Sequence, residues 1–255
     1  MIKFFRHIRK QLLSVNKPGK YLKYAIGEII LVVIGILIAL SINNWNEQRK
    51  VRKNERELYS SILKDLVVDE NRINEHIKYY NDDQSMHYNI YQDSQGLLSN
   101  DSLIDFSTLR AARIFNLAIE ANYSKYIKEV SKNNIRVKLD DYFKQEDNVN
   151  DAMKMISEYK ESRLKLFLSK YDINDAKELF KNRQLDYYDL REKNVFSYSK
   201  LKERYGTREL DQLLFDLGIK TSWALTALKG VLAANKELQL DLLNELNGKS
   251  LSIEK

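Results

Sequence analysis

The sequence predicts an all-α protein, an N-terminal transmembrane helix continuing into a helical bundle domain. Three observations carry this. Tyr24 to Glu47, YAIGEIILVVIGILIALSINNWNE, opens on a run apolar enough to cross a bilayer. Turn formers are scarce: Pro18 is the one proline, glycines number eight, and neither residue occurs between Gly96 and Gly206. A sheet of several strands would recruit them. Finally, apolar residues recur at three- and four-residue steps along most of the chain, the period of a helix with one buried face.

The first segment, residues 1–23, reads MIKFFRHIRKQLLSVNKPGKYLK. Ile2, Phe4, Phe5, Ile8, Leu12 and Leu13 fall mostly on one helical face, with Arg6, Arg9 and Lys10 beside it. Such a basic amphipathic segment lies in the headgroup plane, and Pro18-Gly19 turns the chain into the span.

The transmembrane helix is expected over 24–43. Tyr24 to Ile42 is 19 residues, which at ~1.5 Å per residue extend ~28 Å, about one hydrocarbon thickness. Ile29–Leu40 carries no polar side chain. Tyr21 and Tyr24 at one end and Trp45 at the other stand where amphipathic rings meet the membrane interface, and Asn43, Asn44 and Asn46 mark the return to water. Two other readings fit less well. A buried core helix does not account for the flanks. A cleaved signal peptide could use Ala39-Leu40-Ser41, but it would need a 23-residue basic region and an acid, Glu28, near the start of its apolar core.

Charge supplies the orientation. Residues 1–56 hold twelve Lys/Arg against three acids, whereas the remaining chain holds 30 against 33. The positive excess therefore flanks the apolar run, as expected for juxtamembrane cations facing anionic lipid, and the acidic body excludes a nucleic-acid-binding domain. Seven cations precede the span and five follow it. The positive-inside rule then places the N-terminus in the cytoplasm and the large domain in the periplasm, on an inner-membrane, single-pass anchor.

Within the span, Glu28 and Gly35 are seven residues apart and Ala39 follows four later, so the three share a face. Gly35-x-x-x-Ala39 permits close approach of a second helix. The face suggests self-association, or docking onto another membrane protein, beyond contact with the lipid bilayer itself. The blander reading of Glu28 is that it reaches headgroup water or pairs with Lys20 or Lys23.

The blocks IKFFRHIRK and KYLKYAIGEIILVVIGILIALSINNWNEQRK, with YAIGEI, VVIGILIAL and NNWNE in order, closely resemble the N-terminal signature of an uncharacterised family of single-span membrane proteins from Bacteroidota, domain of unknown function 6090. Ala121–Phe143, ANYSKYIKEVSKNNIRVKLDDYF, looks like a weaker family motif, and Ser41 stands where many relatives carry glutamine. The resemblance implies an inner-membrane anchor and a helical, periplasmic domain. It implies no activity.

Beyond the span, residues 44–93 form a helical stalk and first bundle helix, with Leu58, Ile62, Leu66, Ile73, Ile77 and Tyr80 on one face. Residues 94–247 supply the rest of the bundle, and 248–255 form a tail. Asp93–Asp101 reads as a loop and Ser107–Asn122 as a helix, with one or two more from Ser124. From Ile135 to Phe167 alternating steps of four and three give I, L, Y, E, V, M, I, K, R, F, a seam for antiparallel packing. Asp172–Asp175 is placed to cap a further helix and Lys193–Thr207 reads as a connection. Thr207 N-caps the last helix, with Glu209 in its first turn. Its buried face is Leu210, Leu214, Leu217, Ala224, Leu228, Val231, Leu238 and Leu242, and Gly248 ends it.

Motifs for chemistry are absent. There is no cysteine, no G-x-S-x-G and no glycine cluster for phosphate. His76, Asp83 and His87 share one helix face, but a metal site needs a ligand from a second helix, and the expectation is a solvated polar face. Glu161 and Lys165 form an i, i+4 charge pair, not an acid–base dyad. No catalytic residue, cofactor-binding residue or metal ligand is assigned, and no cofactor is expected. Sixteen tyrosines, including Tyr79-Tyr80 and Tyr187-Tyr188, suit either an interface or the outer layer of a bundle. The leading function is a non-enzymatic, partner- or ligand-binding protein of the cell envelope. The alternatives are a membrane-bound enzyme whose site assembles between bundle helices, or an oligomerising structural stalk. A pocket with converging buried carboxylates or histidines favours the enzyme; a solid core with an exposed apolar or tyrosine-rich stripe favours binding.

Overall fold

The structure, a computed structural model, describes residues 18–98, 104, 106, 108–110, 113, 115–117, 119–181 and 195–248, with backbone alone at 18–21, 24 and 25. The amphipathic segment before Pro18, the side chains of Tyr21 and Tyr24, the Tyr187-Tyr188 pair and the tail beyond Gly248 lie outside the described residues. All regular elements described are helical, apart from an isolated bridge between Asn174 and Phe196. Helix α1 is Pro18–Ser94 and α2 is Ile119–Tyr123, followed by a 3-10 segment, Ser124–Glu129. Helix α3, Asn133–Tyr159, runs through a π turn at Lys160–Leu164 into α4, Lys165–Lys170. Two short helices follow, α5 at Ala176–Leu179 and α6 at Tyr198–Lys202, and then the long α7, Arg208–Leu246.

The chain divides into two units, 1–57 and 58–255. In the first, every described large apolar side chain from Leu22 to Val51 is exposed. This helix is long and apolar enough to cross a membrane, and none of its most apolar stretch is buried by protein. Water is a poor solvent for so continuous an apolar surface, whereas hydrocarbon is a good one.

In the second unit, α1 from Leu58 onward, α3 and α7 bury a continuous seam. One cluster gathers Tyr59, Leu66, Tyr80, Leu139, Ile156 and Leu228. A second gathers Met86, Ile90, Leu164, Phe167, Leu168, Leu201 and Leu214 around Leu217. Each fully buried Leu or Ile contributes about 1.5–3 kcal/mol relative to exposure. The expected face of α7 is buried at all eight positions, from Leu210 to Leu242. Asn235 Nδ2 donates to the Leu66 carbonyl at 3.1 Å and Thr221 Oγ1 to Asp83 at 3.4 Å, so α7 runs antiparallel to α1.

The helix ends follow local chemistry. Gly96, at φ 68°, closes α1: Leu97 N donates to Gln92 O at 2.9 Å and Gly96 N to Asp93 O at 3.0 Å, the paired bonds of a Schellman cap. Thr207 caps α7 by accepting from Leu210 N at 3.4 Å, and Asp175 caps α5 by accepting from Glu178 N at 3.0 Å.

Two expectations change. The helix expected over Ser107–Asn122 is replaced, at the described positions before α2, by irregular chain that still buries Phe106, Leu109 and Phe115. Here the Thr108 carbonyl turns to a side chain instead of a helical N–H, accepting from Lys160 Nζ at 3.0 Å. On the α3 seam, steps of four and three predict burial of Arg163, but Arg163 is exposed and Leu164 is buried. The π turn inserts one extra residue per turn and advances the seam by one position.

Candidate functional site

The face bearing Asp83 and His87 is not solvated. Asp83 is 0% exposed, His87 3% and Lys160 1%. Lys160 Nζ donates to both Asp83 carboxylate oxygens, at 3.0 and 3.2 Å, as well as to Thr108 O. Burial pushes the Lys160 ammonium down, opposed by the adjacent Asp83. Two charges removed from water are tolerable only with such complete pairing.

His87 stands one turn from Asp83 on α1, with Nε2 3.8 Å from Asp83 Oδ1, beyond hydrogen-bond distance. Neither ring nitrogen has a hydrogen-bond partner. Burial pulls its pKa down to about 4, with Asp83 opposing and Lys160 assisting. The ring is therefore neutral at pH 7, with one donor and one acceptor nitrogen.

His87 also lines a groove of about 550 Å³ between α1 and α7. From α1 come Gln84, Tyr88 and Tyr91; from α7 come Asp211, Gln212, Phe215 and Ile219, with Gly218 between the last two. Tyr88, Phe215 and Ile219 are more than half exposed. A Cβ on Gly218 would meet nothing within 4 Å, so the groove is open beside it. Asp211 Oδ1 is buried without a hydrogen-bond partner. The site thus combines apolar walls with two unmatched polar groups, as ligand pockets do.

A neighbouring depression of about 700 Å³ includes Tyr159, Arg163, Lys170, Glu209 and Asp216. Four of its polar side chains are already engaged: Tyr159 Oη donates to Asp216 at 2.9 Å, and Glu209 accepts from Lys170 and from the adjacent Tyr171. That saturation leaves less for a ligand to satisfy.

A second buried polar group lies elsewhere on α3. Glu146 Oε2 accepts from Glu120 N at 3.0 Å, while Oε1 is buried without a hydrogen-bond partner. Burial, aided by Asp69 and Glu120, pushes its pKa up to about 7. Among the described residues no group of three or more His, Cys, Asp and Glu is arranged to hold a metal.

Of the span residues, Gly35, Ala39 and Trp45 are exposed and Glu28 is half-buried. Arg49 lies over the Trp45 ring at 5.9 Å. The groove residues on α7 escaped sequence reading. Asp211 lies in the first turn of α7, where an acid ordinarily complements the helix dipole. Lys160 and Glu146 were visible as polar members of an apolar seam, though not their partners.

No curated protein and no solved structure matches the chain. A family model matches residues 28–136, from the acid inside the apolar run to the first turn of α3. That stretch matches the family of unknown function DUF6090.

Proposed function

We propose that this protein is a non-enzymatic, single-pass inner-membrane protein whose periplasmic helical domain binds a small ligand in the groove between α1 and α7. The observation that carries the reading is that one largely apolar groove is lined by His87 and by the carboxylate-bearing Asp211, each with a polar atom that finds no hydrogen-bond partner within the protein. The charge asymmetry around the span supports the orientation. Glu28, Gly35 and Ala39 offer a helix face for self-association within the membrane.

The enzyme reading draws on the histidine and carboxylate that line the same groove, His87 and Asp211, and on the Asp83–His87 pair. It is the weaker one, because Asp83 is held by Lys160 and a histidine with a pKa of about 4 is a poor general base at neutral pH.

The absence of native cysteine allows a direct test. Gln84→Cys and, as a surface control, Glu237→Cys are challenged with a panel of disulfide-bearing fragments, and capture is read by intact mass. Selective capture of apolar-bodied fragments at position 84 is expected. Equal capture at both positions removes the ligand reading. Orientation is tested with Ser250→Cys and a membrane-impermeant maleimide on spheroplasts: labelling from outside is expected, and protection until lysis reverses the topology.

A further inference from the structure

We propose that the groove takes a protonated primary or secondary amine with an aromatic or branched aliphatic body, its N–H donated to the Asp211 carboxylate and its body held by Tyr88, Tyr91, Phe215 and Ile219. The inference rests on the reading of the groove as a ligand site.

Charge selects the class. Asp211 is the one charged side chain among the described lining residues, and no Lys or Arg is there to recruit an anion. The half-buried carboxylate has no cationic side chain beside it in the groove lining, and one of its oxygens finds no donor within the protein. An ammonium group supplies both the counter-charge and a charge-assisted hydrogen bond. The aromatic walls reinforce the choice, since the faces of tyrosine and phenylalanine attract cations.

His87 constrains the other end. The antiparallel pairings of Asn235 with Leu66 and of Thr221 with Asp83 put Asp211 near the level of Tyr91. His87 therefore stands about one helical turn away, ~6 Å along the groove. Both of its nitrogens are buried, so the ring bounds the groove there without offering the ligand a polar contact. Gly218 leaves the intervening space open for the body.

The test uses the full chain in phosphatidylcholine nanodiscs and ligand-observed NMR titration. Phenethylamine is compared with 2-phenylethanol, 3-phenylpropionate and trimethyl(phenethyl)ammonium. We expect phenethylamine to bind at least tenfold tighter than the alcohol or the acid, and Asp211→Asn to erase that preference. The quaternary analogue, without an N–H, should bind more weakly than the primary amine. Gly218→Leu should abolish binding of all four while leaving the melting temperature within a few degrees, because leucine is the better helix former. If all probes bind alike and Asp211→Asn changes nothing, the amine assignment fails while the groove stands. If no probe responds to Gly218→Leu, the groove reading itself fails.

Discussion

Glu146 and Lys160 occupy the same seam of α3 and its π turn, fourteen residues apart, and both are buried. Their surroundings differ in sign. Lys160 meets an opposite charge, Asp83, and a carbonyl, so its three donors are occupied within the protein. Glu146 meets Asp69 from α1 and Glu120 from α2, both acids, with backbone N–H donation from α2 as its main compensation. Tyr142, one turn earlier, is engaged instead by Asn235 of α7, at 3.2 Å. Burial alone therefore does not decide a charge state. The same seam fixes one group as half of an ion pair and leaves the other holding its proton up to neutral pH.

The largest test of this contrast is to remove the partner that Asp83 depends on. Lys160→Met leaves a buried carboxylate without its counter-ion and should cost about 3–5 kcal/mol, measured by chemical denaturation. Adding Asp83→Leu should recover most of that loss, since two apolar residues replace two desolvated charges. If the double variant is as unstable as the single one, the pair contributes more than mutual neutralisation.

The π turn that carries Lys160 comes next. Leu164→Ala should destabilise by about 2–5 kcal/mol and Arg163→Ala by less than about 0.5 kcal/mol. Similar losses at both positions would mean that the seam does not advance at Lys160–Leu164.

The smallest effect is the most specific. The Glu146 pKa is raised, so the folded state binds more protons than the unfolded state between about pH 4.5 and 7, and stability falls as pH rises through that window. Glu146→Gln should lack this loss, and its stability relative to wild type should improve by on the order of 2–3 kcal/mol from about pH 4.5 to about pH 7.5. His76 and His87, both lowered to about 4, contribute the opposite slope, stability lost as pH falls from about 6.5 through 4. They are present in both proteins and cancel in the difference. A pH-independent difference would show that Glu146 titrates normally.

Much of this architecture was legible beforehand. The apolar run, the α1 terminus near Asp93, the Thr207 cap and the buried face of α7 all follow from rules that act over a few residues. The irregular chain around Thr108 was not, because its backbone answers to Lys160, 52 residues away. Asp83 and His87 were legible as a helical pair, but their burial depends on which faces α3 and α7 present to α1.

By itself the sequence determined the helical class, the apolar segment and the helix caps, because propensity, hydrophobic period and capping are local properties of neighbouring residues. Tertiary structure alone decided which polar residues lose water, and so which become an ion pair, a protonated acid or a neutral imidazole at a groove. Desolvation and pairing depend on groups brought together from distant parts of the chain, and no local pattern encodes those distances.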